Sequence, residues 1–518
     1  MIILSPLSLN HTFGRSWVSK SDLSSIVERP QRLLAASIGI AAALSLFPQN
    51  FKVYLSNFKS SLYSHHVVKI HGKKWPQEIE KLCQESEKKL AKNQMEVPEG
   101  WPNGDIYLNK NTILALKGVV GTLEKSVDSI FDEKTRFFNS FKKVFVVIRP
   151  PGHHSHPCTP SGFCLINNAQ IAIQYASDTY NITHAVILDI DLHHGDGTQD
   201  ICWKRAGFNS ENLVSDFDSA FDLNINKNEF SNNKYDSSTK KKSLDPKVGY
   251  FSLHDINSFP TELGHATASR IKNASTCLIG HGLCIWNVHL QKYKDDNEFY
   301  QQYKTRYNQI LSKAEEFLTQ EKLEYKNKLD DYYIQLDRYN KTKSQSFQTQ
   351  NYIFDENQKN SLDHNENYNK NYNKGFQLKK PLKPAEFKPM IVISSGFDAS
   401  EYESQNMRRH DVHVPTSFYC NFTKDVVKLS EKFTKGRVLS LLEGGYSDAA
   451  LCSGIFSHLI GLADCNWKEN WGKEETIKEL TKGCRTKWKQ IKYPRNELQR
   501  WATQVIKLGR LLLPDSII

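Results

Sequence analysis

Six runs of the chain are apolar almost without interruption: KVFVVI (143–148), HAVILDI (184–190), VGYFSLH (248–254), CIWNVHL (284–290), MIVISSG (390–396) and RVLSLLEGG (437–445). A strand with one face in water alternates apolar and polar residues, whereas a continuous run suits a strand covered on both faces, as in a parallel sheet between helices. Between the runs, INNAQIAIQYASD and the 414–434 stretch carry helical spacing. This alternation predicts an open α/β sheet. The segment Leu33–Phe47 holds 15 residues with no charge, fewer than the ~20 needed to cross a bilayer. It predicts a buried helix, and no membrane association is expected.

In open α/β sheets, ligands bind beyond the carboxyl ends of the strands. RPPGHH follows the 143–148 run, DIDLHHGDG ends the 184–190 run, GFDA follows 390–396 and EGGY ends 437–445. Four polar clusters are therefore expected on one rim.

Composition changes this picture in three places. Residues 209 to about 247 are rich in Asn, Ser, Asp and Lys, and residues from about 323 to 386 are dominated by Asn, Tyr, Lys and Gln. Neither stretch has enough apolar surface to offset the entropy of ordering, so both are expected as mobile insertions. Residues 466–510 hold twelve Lys/Arg against five Asp/Glu, in a chain of net charge +11. This reads as a basic helical extension, 466–518, after a domain spanning 1–465. A surface of that kind suits chromatin or an acidic partner, and equally a solvated amphipathic face. Ten cysteines without a CxxC pair indicate neither a zinc ribbon nor a disulfide framework and point to a reducing compartment. No basic region followed by an apolar block opens the chain, so no signal peptide is expected.

DIDLHHGDG crowds Asp189, Asp191, His193, His194 and Asp196 into eight positions. Burying such groups is costly unless a cation compensates. In extended backbone, side chains two apart share a face, so Asp191 and His193 can point at one ion while Asp189 sits behind. A catalytic zinc site usually takes three protein ligands and keeps one position open. Asp398, in SSGFDA at another strand end, is the best supplier of the third. In RPPGHHSHP the prolines stiffen a turn that displays His153 and His154 beside that ion. Imidazoles move protons near neutrality when a carboxylate fixes their tautomer, and Asp189 and Asp196 are spare carboxylates for that task. By contrast, the pair His65 and His66 has no acidic pattern around it and is expected to be structural or exposed.

Taken together, RPPGHHSHP, GFCLINNAQIA, DIDLHHGDGTQ, YFSLHD, SSGFDA and LEGGY resemble the zinc-dependent histone deacetylases, the class II branch in particular, and a fungal member of it. The resemblance covers most of residues 11–465 and implies the three-layer α/β fold of the arginase/deacetylase superfamily, a mainly parallel eight-stranded sheet between helices. It implies zinc ligation by Asp191, His193 and Asp398, tandem catalytic histidines His153 and His154 oriented by Asp189 and Asp196, and a substrate-binding Tyr446. Gly162, Phe163 and Phe259 match the walls of an acetyl-lysine tunnel, and Asp105 matches a rim acid that holds the substrate backbone. Ser252 and Leu253, with Asp189, Asp191 and His193, match a monovalent-cation site, usually potassium. Arg32 matches an arginine lining a cavity beneath the site. Gln31 departs from the glutamate frequent there, which touches helix entry.

The implied activity is hydrolysis of acetyl-lysine on histone tails or other proteins, in chromatin silencing and transcription repression. Corepressor or chromatin partners, a homo-oligomer, and residence in the nucleus and also the cytoplasm are further expectations. Three alternatives stand beside it: a catalytically weak scaffold of the same fold, a polyamine or small-molecule deacetylase, and a two-metal arginase-like hydrolase. The last needs an Asp-x-Asp pattern near the final ligand, where FDASE stands. Relatives of weak activity carry His where Tyr446 stands, so Tyr446 favours an enzyme over a scaffold.

Overall fold

The computed structural model describes residues 1–23, 26–102, 104–132, 141–208, 245–280, 282–359 and 379–513. Nearly all of the first expected insertion, 209–247, lies outside them. The chain divides into two compact units, Met1–Glu316 with Lys388–Ile518, and Phe317–Phe387.

Among the described residues, the first unit is built on nine strands: β1 (Ile2–Leu4), β2 (Val53–Leu55), β3 (Lys143–Val147), β4 (His184–Asp189), β5 (Lys247–His254), β6 (Cys277–Gly280), β7 (Leu283–His289), β8 (Pro389–Ser395) and β9 (Val438–Leu442). They pair in the order β2-β1-β3-β9-β8-β4-β5-β7-β6. Eight of them form the parallel sheet anticipated from the apolar runs, and β6 adds an antiparallel ninth strand on the edge. All six apolar runs are strands. The additional ones, β1, β2 and β6, are three or four residues long, too short to show a period.

The sheet is buried on both faces. Val144 and Val146 of β3, Ala185 and Ile187 of β4 and Leu439 and Leu441 of β9 share one apolar cluster with Leu116, Val119 and Leu123 of the helix Thr112–Phe131 and Ile173 of the helix Asn168–Tyr180. Phe145, between Val144 and Val146, points the other way and meets the His458 ring at 5.2 Å. That histidine belongs to the helix Asp448–Leu462, which packs on the helix Arg32–Leu46. Twelve residues of Arg32–Leu46 are buried, from Arg32 through Ala43. The uncharged segment is thus a core helix, and no helix among the described residues is long and apolar enough to cross a membrane.

Small residues set how closely these helices approach. A Cβ on Gly39 would run into the backbone carbonyl of Cys452, and one on Gly509 would meet the Ile38 backbone at 2.8 Å. The basic C-terminal stretch is helical at Glu474–Thr481 and Glu497–Leu511. The second of these helices packs on Arg32–Leu46, where Trp501 donates to Ser45 Oγ at 2.9 Å, and within the stretch buried Arg510 donates to the carbonyl of Gly483 at 2.7 Å.

The second unit corrects one expectation. The stretch from about 323 was expected without regular structure, yet helix continues from Gln309 to Lys359. Few of its residues break a helix, and i,i+4 pairs such as Lys328–Glu324 and Lys341–Asp337 support the exposed faces. Residues 360–378 lie outside the described residues.

Replacing Gly39 with Leu should separate the Arg32–Leu46 and Asp448–Leu462 helices and destabilise the protein by about 1–3 kcal/mol. Chemical denaturation of the variant against the parent checks this. An unchanged midpoint would contradict the close approach.

Candidate active site

The four clusters end strands β3, β9, β8 and β4, which are consecutive neighbours in the sheet. Neighbouring strands lie about 4.8 Å apart, so side chains from all four can converge on one point.

Asp191, His193 and Asp398 do so. All three are buried, and one ligand atom from each lies within 4.8 Å of the others. His193 Nδ1 is 3.1 Å from Asp191 Oδ1 and 3.0 Å from Asp398 Oδ2. Backbone amides hold the outer oxygens: Gly444 N–H donates to Asp191 Oδ2 at 2.8 Å and Leu192 N–H to Asp398 Oδ1 at 2.9 Å. Cβ atoms on Gly396 or Gly444 would overlap these carboxylates. Burial works against charge on His193, but its bonds to Asp191 and Asp398 push its pKa up to about 10. Burial and repulsion from Asp191 raise the Asp398 acid above the usual range. Two buried carboxylates and an imidazole, with no Lys or Arg side chain paired to them among the described residues, form a donor set that fits a divalent cation with an open position. This is the one metal-binding group of its size among the described residues.

The tandem histidines lie beside it, their rings 4.1 Å apart. His153 Nδ1 is 3.3 Å from Asp189 Oδ2, and its Nε2 is 3.7 Å from Asp191 Oδ1. His154 Nδ1 is 2.7 Å from Asp196 Oδ1. Burial opposes charge on both rings. On His153 the Asp191 and Asp189 carboxylates overcome it and hold the pKa well above the usual value. On His154 burial wins, reinforced by His153, and the pKa falls to about 3. The two adjacent rings are thereby driven apart in charge. Asp196 is shared, since His156 Nε2 lies 3.4 Å from its other oxygen.

Tyr446 is 6% exposed. Burial, then the charges of Asp398 and Asp191, hold its phenol well above the usual range, so it stays a hydrogen-bond donor. Phe163 packs 5.5 Å from its ring, and Phe259 sits edge-on to His154 at 5.1 Å. These two partly exposed aromatics border the otherwise buried group. Gly162 has φ +46°, and a Cβ there would overlap the His154 ring. Half-buried Asp105 has its acid raised, by burial first, in a field that includes His265, Glu262, His193 and Arg409. Ser252 lies opposite Asp189 in register, but its hydroxyl is 2.8 Å from His254 Nδ1 and Leu253 is buried beside it. His65 is exposed and paired with Asp178, and His66 is buried near Glu124, both apart from the site.

Beneath, Arg32 donates to the carbonyls of Gly445 at 2.7 Å and Glu443 at 2.5 Å. Glu28 joins it to Arg149: Arg32 Nη1 to Glu28 Oε1 is 3.1 Å, and Arg149 grips the same carboxylate at 2.7 and 2.6 Å. Sequence reasoning assigned no role to Glu28, Tyr250, Glu403 or Glu443. Tyr250 donates to Asp189 Oδ2 at 3.0 Å. Glu443 accepts from Gly152 N–H at 2.7 Å and His153 N–H at 3.2 Å, and burial pushes its acid up to about 7. The place of Glu443 in EGGY and of Tyr250 in YFSLHD was a usable signal; Glu28 and Glu403 stand outside those motifs.

Comparison with known proteins agrees with this geometry. The sequence model of the family described as "Histone deacetylase domain" matches residues 26–319 and 347–462. "Histone deacetylase HOS3" of Saccharomyces cerevisiae is 47% identical over 99% of this chain, which spans 64% of that protein's length. Over shorter stretches, "Polyamine deacetylase HDAC10" of Danio rerio is 37% identical across 18% of this chain and 13% of its own. Among solved structures, the "Crystal Structure of HDA15 HD domain" superposes with a TM-score of 0.52 at 17% identity, over 99% of each chain, which speaks for the fold. The chain belongs to the histone deacetylase family.

Proposed function

We propose that this chain is a zinc-dependent hydrolase that removes acetyl groups from lysine side chains of histones and other proteins. The reading is carried by one observation: a buried Asp-His-Asp donor set flanked by two histidines, each on its own aspartate, with Tyr446 on the adjoining loop. When bound by Asp191, His193 and Asp398, zinc supplies Lewis-acid polarisation of the amide carbonyl and acidifies water.

The side chains carry the proton and charge traffic. Asp196 takes the Nδ1–H of His154 and fixes the tautomer, which leaves Nε2 to accept a proton from the attacking water. The water oxygen bonds to the acetyl carbon, the C–N bond breaks, and His154 returns the proton to the departing amine. Free lysine and acetate result. His153, held by Asp189, stabilises charge alongside. Tyr446 donates its phenolic hydrogen to the carbonyl oxygen as negative charge develops there. Gly162 leaves room beside His154, Phe163 and Phe259 flank the aliphatic part of the lysine, and Asp105 accepts from the peptide backbone at the rim. Potassium at Asp189, Asp191, His193, Ser252 and Leu253, chromatin or corepressor partners and a nuclear residence extend the same reading.

Tyr446→Phe should retain metal and fold and lose about 10²–10³ in turnover of an acetylated histone peptide. Undiminished turnover would contradict the role given to the phenol. Asp398→Ala should leave less than about a tenth of an ion per chain by elemental analysis, because two remaining ligands do not hold a tetrahedral ion; full retention would contradict the ligand set. Turnover of acetylspermidine in preference to the peptide by the unaltered protein would replace the protein substrate with a polyamine.

A further inference from the structure

Five residues beyond Asp398 stands a carboxylate that the proposed reaction leaves unused. Glu403 is 3% exposed, and among the described residues its carboxylate meets no cation. Backbone amides occupy both oxygens: Tyr446 N–H reaches Oε2 at 2.7 Å, Ser447 N–H lies 2.9 Å from Oε1 and 3.2 Å from Oε2, and Ser404 N–H reaches Oε1 at 2.7 Å. Burying an acid without a counter-ion is costly, and burial pushes this one up to about 7 despite the amides.

The amide that Glu403 holds belongs to the Gly445–Tyr446 peptide, whose carbonyl accepts from Arg32 Nε at 2.7 Å. One peptide plane is therefore gripped by a guanidinium at its oxygen and by a carboxylate at its hydrogen. The charges match the ends of the peptide dipole. Gly445 sits at φ +106°, a conformation that glycine adopts freely, so no side chain of its own restrains the backbone here and the contacts to Arg32 and Glu403 hold it. Arg32 also lies under the Tyr446 ring, its guanidinium carbon 4.9 Å from the centroid. On the far side, Ser447 Oγ donates to the carbonyl of Tyr402 at 2.8 Å and accepts from Ala450 N–H at 3.0 Å, which caps the helix Asp448–Leu462.

We infer that Glu403 is a positioning residue: with Arg32 it forms a charged clamp across the Gly445–Tyr446 peptide that aims the Tyr446 side chain at the site. The inference rests on the proposed function for its catalytic consequence, while the clamp itself is a structural statement. Glutamine at position 403 has the same shape but must turn its NH₂ toward one of the two sets of N–H donors, whichever way the amide is flipped.

Two measurements on Glu403→Gln test the clamp in the full chain. Hydrogen exchange at the Tyr446 and Ser447 amides should quicken by about tenfold or more while distant segments exchange as in the parent. On the acetylated peptide, kcat should fall about tenfold with KM and metal content little changed, and Glu403→Gln combined with Tyr446→Phe should be no slower than Tyr446→Phe alone. Unchanged exchange, or losses that multiply in the double variant, would overturn the inference. If Glu403→Gln does not fold, Glu403→Asp, which withdraws the charge by one methylene, is read the same way. A parent protein without turnover would overturn the proposed function, and the exchange measurement would still decide the clamp.

Discussion

The site depends on acids buried at strand ends with no Lys or Arg side chain paired to them among the described residues. Asp191 and Asp398 meet at the mouth of a parallel sheet, where burial and mutual repulsion raise the cost of charge on one of them. An internal Lys or Arg would have cancelled that cost and closed the site. Backbone amides and two histidines, His193 and His153, surround the acids instead, a donor set suited to a cation brought from outside.

The same chemistry stitches the rim together. The loop after β8 is tied to the β4 loop by Asp398 and Leu192 N–H, and the β9 loop to the β4 loop by Asp191 and Gly444 N–H. The β9 loop holds the β3 loop through Glu443 and Gly152 N–H. The β8 loop holds the β9 loop through Glu403 and Tyr446 N–H. Each bond pairs a carboxylate with an amide, three of them across neighbouring strand ends and the Asp191–Gly444 bond across the intervening β8, so the loops that carry His153, Asp191, Asp398 and Tyr446 are cross-linked by charge-assisted hydrogen bonds. Below this negative layer lies a positive one, Arg32 and Arg149 around Glu28, anchored to carbonyls of Gly445, Glu443, Ser8 and His11. The reacting groups sit above a rigid, charge-alternating foundation, which keeps their geometry independent of solvent.

Much of this was legible in the sequence because parallel strands buried on both faces write continuous apolar runs, and their ends announce where polar clusters will gather. The six runs gave six strands, and the four clusters fell on four adjacent ones. Strands β1 and β2 were not legible: three residues carry no period, and IIL becomes a strand because its register against Phe145–Val147 is available in three dimensions. The helix through 323–359 was hidden by composition, since Asn, Tyr and Lys lower apolar content without preventing helix. Glu403 and Glu28 were hidden for a different reason. Their role is to accept from backbone amides or pair with arginines far along the chain, and an isolated Glu in a loop looks the same whether it is solvated or buried. Asp191, His193 and Asp398 could be found from the sequence because the first two share a strand end and the third closes another.

The central claim is that the buried acids are completed by one divalent ion held through nitrogen and oxygen. Elemental analysis with X-ray absorption at the metal edge on the purified protein tests it most directly. The account predicts one zinc per chain with ligand distances of about 2.0–2.2 Å and no sulfur. Two ions per chain, sulfur in the coordination, or a folded active protein with no metal would contradict it.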